Sequence, residues 1–147
     1  MIFAVSCNEV GEQEIYLIPQ GFQGAVFVIF NQKGGTPAKY DDHKRIYEVP
    51  DDGVLRTQFH PNKGSRRLPT VYYVANDHRV IVPFEVSVRD VEDGATQACC
   101  LGGGLLFKDG GGTRPTPYSY FYIGTEPKID SAFVIRPKVN MSRYLED

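Results

Sequence analysis

Short runs of β-branched and aromatic residues, broken at nearly every boundary by Gly, Pro, Asn or Asp, run through this chain. Such residues suit a pleated surface, so each run predicts a strand. The first is E-I-Y-L-I at 14–18, closed by Pro19 and Gly21. Gly21-Phe22-Gln23-Gly24 reads as a turn, and the apolar run 25–30 that follows is too short for a helix and predicts a strand buried on both faces. Lys33-Gly34-Gly35-Thr36-Pro37 ends it. Residues 44–49 and 54–59 flank Pro50-Asp51-Asp52-Gly53, where Pro presets φ and Gly supplies a left-handed residue, so 44–59 predicts a hairpin. A second hairpin is expected from 70–75 and 79–88 around Asn76-Asp77-His78, with Pro83 at an edge or a bulge. Further strands are expected at 96–101, 118–124 and 131–136, and only 140–146 has the pattern of a helical turn.

Many short strands with almost no helix predict an all-β fold, an antiparallel β-sandwich with at most a short C-terminal helix. Tyr16, Ile18, Val26, Val28, Phe30, Ile46, Tyr47 and Leu55 are the expected core. Composition agrees: Val and Ile outnumber Leu, Ala and Met combined, and 15 Gly with 10 Pro make a turn-rich chain. At 147 residues and 41% hydrophobic the chain suits one compact domain with its own core. No apolar run reaches the roughly 20 residues of a membrane-spanning helix. The net charge of -2 argues against general nucleic-acid binding, which needs clustered Lys and Arg. Lys63, Arg66 and Arg67 make only a small basic turn.

The amino terminus, M-I-F-A-V-S-C-N, is a short apolar stretch ending in small residues just before Cys7. It resembles a clipped lipobox, the site at which bacterial lipoproteins are cleaved and lipidated on cysteine. A full export signal needs a basic n-region and about 7–15 apolar residues, more than stand before Cys7. Either the start lies upstream of Met1, with Cys7 the lipid-bearing residue, or 2–5 is a frayed strand and Cys7 a buried thiol. The first alternative makes 1–13 a truncated signal and tether and 14–147 one sandwich domain. It anchors the protein to a membrane by its N-terminal lipid, outside the cytoplasm.

Catalytic and metal-binding signals are weak. His43, His60 and His78 each sit in a turn without a partner at ligand spacing, so no metal or other cofactor is expected. Cys99 and Cys100 are adjacent, and in a pleated strand their thiols point to opposite faces; a disulfide is the alternative. Gly102-Gly103-Gly104 and Gly110-Gly111-Gly112 lack the Lys-Ser/Thr pair of a phosphate loop and read as flexible connections within 102–117. Tyr118, Tyr120 and Tyr122 share one strand face, either as half-buried packing or as a platform for a peptide or sugar.

Two motifs carry a resemblance: Y-L-I-P-Q-G-F-Q-G at 16–24 and R-I-Y-E-V-P-D-D-G-V-L-R-T-Q-F at 45–59, with a weaker echo in F-Y-I-G-T at 121–125. Together they are similar to a family of small bacterial extracytoplasmic lipoprotein domains of unknown function, which implies export and a β-rich fold but no reaction. The stretch 24–40 also has the look of a transthyretin-like or prealbumin-like sandwich, an analogy of fold alone. The function expected is therefore a non-catalytic surface module that binds a protein, peptide or glycan. The alternatives are an immunity or inhibitor protein against an extracytoplasmic toxin, and a small hydrolase using Asp41, Asp42, His43 or Glu48. Binding ranks above catalysis because no residue spacing demands chemistry.

Overall fold

The computed structural model describes residues 10–64, 67–86, 94–108, 114–135 and 141–145, the side chains of 131–135 and 141–142 excepted. Two five-stranded sheets face one another. In spatial order the first holds β3 (Tyr40–Asp41), β4 (Lys44–Glu48), β1 (Glu14–Pro19), β6 (Thr70–Ala75) and β7 (His78–Val82). The second holds β5 (Val54–Arg56), β2 (Gly24–Ile29), β10 (Thr116–Gly124), β9 (Gln97–Leu106) and β8 (Phe84–Glu85).

The sandwich is all-β as expected, but its pairing is mixed. β1 lies parallel to both β4 and β6, β2 parallel to β5, and β8 parallel to β9. The chain crosses to the other sheet after β1, β2, β4, β5 and β7 instead of folding back beside the strand it has just left. β6, for example, follows β4 by way of β5 in the other sheet and runs in the direction of β4. The 44–59 segment illustrates this. Its turn forms as read, with Gly53 donating to the Pro50 carbonyl at 2.9 Å and φ of +80° at Gly53, yet it joins β4 of one sheet to β5 of the other, so no hairpin results. Of the expected hairpin at 70–88, the part 70–82 forms between β6 and β7, through Asn76 and Asp77 at φ of 46° and 66°, while 87 and 88 lie outside the described residues. Pro83 then carries the chain from β7, an edge strand, to β8 in the opposite sheet.

Seven of the eight expected core residues meet between the sheets, with Tyr16, Ile18, Tyr47 and Phe121 sealed from solvent. Ile46 is buried too, but outside that cluster. β2 is covered on both faces: Val26, Val28 and Phe30 enter the main core, whereas Phe27 and Ile29 belong to a second cluster.

Where a strand is expected at 131–136, residues 131–135 are instead the end of a helix, α1 (Glu126–Ile135), and 136 lies outside the described residues. Thr125 begins it, its carbonyl accepting from the Lys128 and Ile129 amides at 3.0 Å. Glu126 and Pro127 occupy the first turn, where a carboxylate meets free amides and proline removes no needed donor. Ile129 packs on Tyr122 and Cys99, so the helix covers the outer face of the second sheet. A 3-10 turn at Met141–Tyr144 follows, and Tyr144 and Leu145 pack on the same outer face.

Candidate functional site

The second sheet ends in a cleft of about 640 Å³ built by three segments far apart in sequence: 31–33 after β2, 58–60 after β5, and 114–117 leading into β10. Backbone pairing fixes their meeting. Asn31 takes a left-handed φ of 59° and donates to the Phe59 carbonyl at 2.9 Å; the Gln32 amide donates to the Thr57 carbonyl at 2.9 Å. The chain then turns, with Gly35 donating to the Gln32 carbonyl at 3.0 Å, and returns along the other side of β5, where Thr36 donates to the Arg56 carbonyl at 2.8 Å. Residues 57–59 are thereby held from both sides. A Cβ on Gly35 would stand 2.8 Å from the Arg56 backbone carbonyl, so only glycine permits this approach. Phe30 donates to the Pro117 carbonyl at 3.0 Å and brings in the third segment.

The polar groups of the cleft are arranged rather than loose. Gln32 is buried, and its Nε2 donates to the Phe30 carbonyl at 3.0 Å while its Oε1 has no partner among the described residues. An unsatisfied buried acceptor costs about 1–3 kcal/mol. His60 Nδ1 lies 2.6 Å from Asn31 Oδ1. An amide oxygen only accepts, so Nδ1 carries the proton and, in the neutral ring, Nε2 holds a lone pair. Gln58 Nε2 donates to the Lys33 carbonyl at 2.8 Å, and Lys33 and Arg114 line the wall.

A second cleft of about 250 Å³ opens between the sheets beside the first, and the two share Pro117. Here Glu14 accepts from the Tyr16 hydroxyl and from Asn62 Nδ2, each at 3.1 Å. Burial, reinforced by the Glu14 carboxylate, pushes the Tyr16 and Tyr47 hydroxyls well above the usual tyrosine range. Arg45 ties this edge together: it pairs with Glu12, donates to Tyr47 Oη at 3.3 Å and to the His60 carbonyl at 2.5 Å, and lies 4.6 Å from the centre of the Phe59 ring. Its hydrogen bond holds the Glu12 carboxyl below the ordinary range. This network fastens the 59–62 segment, and with it His60, to the first sheet.

The tyrosines read from the sequence do share one face, the outer face of the second sheet, while Ser119, Phe121 and Ile123 turn inward. Tyr118 and Tyr120 stack with centroids 6.1 Å apart and are half-buried against Phe27. They lie across Gly104 and Gly102, where an added Cβ would come within 3.0 Å and 2.4 Å of the rings. Gly102, Gly103 and Gly104 are thus part of β9 and not a flexible connection; Gly110, Gly111 and Gly112 lie outside the described residues. Tyr122 is sealed beneath Ile129 and offers no surface to a ligand.

Cys99 and Cys100 are joined as a disulfide instead of pointing to opposite faces. The pairing of β9 with β10 slips between Tyr120 and Tyr122, and Cys100 takes a φ of 69°. This bulge cancels the alternation of the pleat and puts both sulfurs in reach. Asp41, Asp42 and His43 form the exposed β3–β4 turn, whereas Glu48 sits at the far end of β4, roughly 13 Å or more along the strand, paired with Lys39. They do not converge. Among the described residues no three His, Cys, Asp or Glu gather as a metal site. Cys7 and Arg66 lie outside the described residues.

The sequence singled out His60 only as a turn residue and passed over Asn31, Gln32, Gln58 and Arg114. Nothing local marks them, because the cleft exists only once the 29–36 and 56–59 segments have paired.

Fold and site together define a mixed two-sheet β-sandwich with a polar cleft at the end of one sheet. The chain belongs to DUF6843, a family of unknown function, whose model matches residues 10–96. No curated protein matches the sequence. Its fold is similar to the crystal structure of a candidate lipoprotein from Bacillus anthracis, with a TM-score of 0.58 and 15% identity over 92% of this chain and 81% of that one.

Proposed function

We propose that this chain is the non-catalytic binding domain of an extracytoplasmic lipoprotein, tethered to the membrane by a lipid on Cys7, with its ligand seated in the 31–33, 58–60 and 114–117 cleft. The tether is supported by the lipobox-like residues 1–7 and by the fold shared with the Bacillus anthracis protein. The observation that carries the binding role is the polar cleft itself, gathered from three distant segments with Asn31, Gln58, His60 and Arg114 on its walls. Tyr118 and Tyr120 lie next to Pro117 along β10 and extend the surface available to a larger ligand. The test is a glycan and peptide array probed with the soluble chain and with His60→Ala/Arg114→Ala. Ligands held by the parent chain should be lost by the double variant. Retention of every ligand, or turnover of one of them, overturns the reading.

A further inference from the structure

We infer that the ligand of this cleft is an acidic saccharide, a sugar bearing a carboxylate. The inference rests on the proposed binding role of the cleft and names its ligand class. Charge gives the first argument. Lys33 and Arg114 line the cleft and no acidic residue among those described does, although the chain as a whole carries a net charge of -2. The local sign is therefore opposite to that of the chain, and an anion is favoured there.

The neutral groups give the second. Asn31 and Gln58 line the cleft with two carboxamides, each both donor and acceptor, beside the His60 ring. A hydroxyl is likewise donor and acceptor, so a row of ring hydroxyls can answer such groups one by one. Sulfate is all acceptor and phosphate at neutral pH carries few P–O–H donors, so neither offers such a row of paired donors and acceptors. A peptide carboxyl terminus brings a carboxylate but only its backbone N–H groups, and it is usually held by main-chain amides rather than side-chain carboxamides. Pro115 and Pro117 add apolar wall suited to the C–H face of a sugar ring.

Calorimetric titration of the full chain with trigalacturonate, trigalactose, inorganic phosphate and a short peptide with a free carboxyl terminus tests this. Trigalacturonate should bind, and Arg114→Gln should weaken it about tenfold, the loss of one charge-assisted hydrogen bond. Phosphate should not bind, and added salt should weaken the uronate. Trigalactose binding as tightly as trigalacturonate, unaffected by Arg114→Gln, would refute the acidic assignment while leaving the cleft in place. Binding of the peptide alone would refute the saccharide. Uronate binding that survives intact in His60→Ala/Arg114→Ala would instead remove the cleft itself. Failure of trigalacturonate to bind, while an array ligand is lost in that double variant, would refute the saccharide and keep the cleft.

Discussion

Gly35→Ala puts the architecture of the cleft to a quantitative test. A methyl at Gly35 would lie 2.8 Å from the carbonyl carbon and oxygen of Arg56 and 2.9 Å from the Thr57 nitrogen. These are backbone atoms, so no side chain can swing aside, and the strands must part by roughly half an ångström to restore ordinary contact. The bonds at stake are Thr36 to the Arg56 carbonyl at 2.8 Å and Gln58 to the Thr36 carbonyl at 2.9 Å. Losing or stretching both removes about 2 kcal/mol, and overpacking adds on the order of 1 kcal/mol. The reduced freedom of the unfolded alanine chain returns about 0.4–1 kcal/mol. A net loss of about 2 kcal/mol is expected, a fall in Tm of roughly 4–8 °C for a chain of this size. Equilibrium urea unfolding measures it, with an unchanged m-value showing that the unfolded state is not the cause. Gly21→Ala is the control: its site has nothing within 4 Å but a φ of +85°, so it should lower stability without disturbing the amide resonances of 31–33 and 57–60. If Gly35→Ala unfolds within about 0.5 kcal/mol of the parent chain and leaves those resonances in place, the close approach is not what shapes the cleft.

Four further outcomes are expected. Cys99 and Cys100 should resist alkylation in the unfolded, unreduced chain and each take one alkyl group after dithiothreitol; alkylation of both without reduction would contradict the disulfide. Tyr16 and Tyr47 should stay protonated while exposed tyrosines ionise in an ultraviolet titration. Their raised values mean a stabilising contribution that is full below the unfolded tyrosine pKa and fades as pH rises above it, so Tyr47→Phe should flatten the alkaline loss of stability. Glu12 is shifted the other way, so its contribution is present above the unfolded carboxylate pKa and disappears as pH falls through its lowered folded value; Glu12→Gln should remove that part of the acid-side slope. Labelled palmitate should enter the protein when it is expressed from its native locus, and Cys7→Ser should abolish incorporation; equal labelling of the variant would exclude Cys7 as the anchor.

Strand positions and most of the core were legible because alternation and turn residues are local. The run 25–30 announced a strand covered on both sides, and Asn76 with Asp77 announced a tight hairpin. What could not be read is which sheet a strand joins. Pro50 to Gly53 makes the same turn whether the chain folds back in its own sheet or crosses to the other, and the difference lies in which partners Val54 and Leu55 find. Residues 131–136 have strand-like composition, yet the cap at Thr125 and burial of Ile129 on Tyr122 select a helix, tertiary contact overriding propensity. Gly102 and Gly104 looked flexible because a glycine's partner, here a tyrosine ring across the sheet, is invisible in one dimension. The cleft failed to show for the same reason: its amides come together only through long-range pairing.

Mapping of the cleft by amide and carboxamide NMR is the most direct measurement. The isotope-labelled full chain is titrated with whichever ligand the array returns at highest affinity. Shifts should centre on 31–33, 58–60 and 114–117, with the Asn31 and Gln58 carboxamide signals moving furthest. Shifts confined to another face, with those carboxamides unmoved at saturation, would contradict the assignment of this cleft as the binding site.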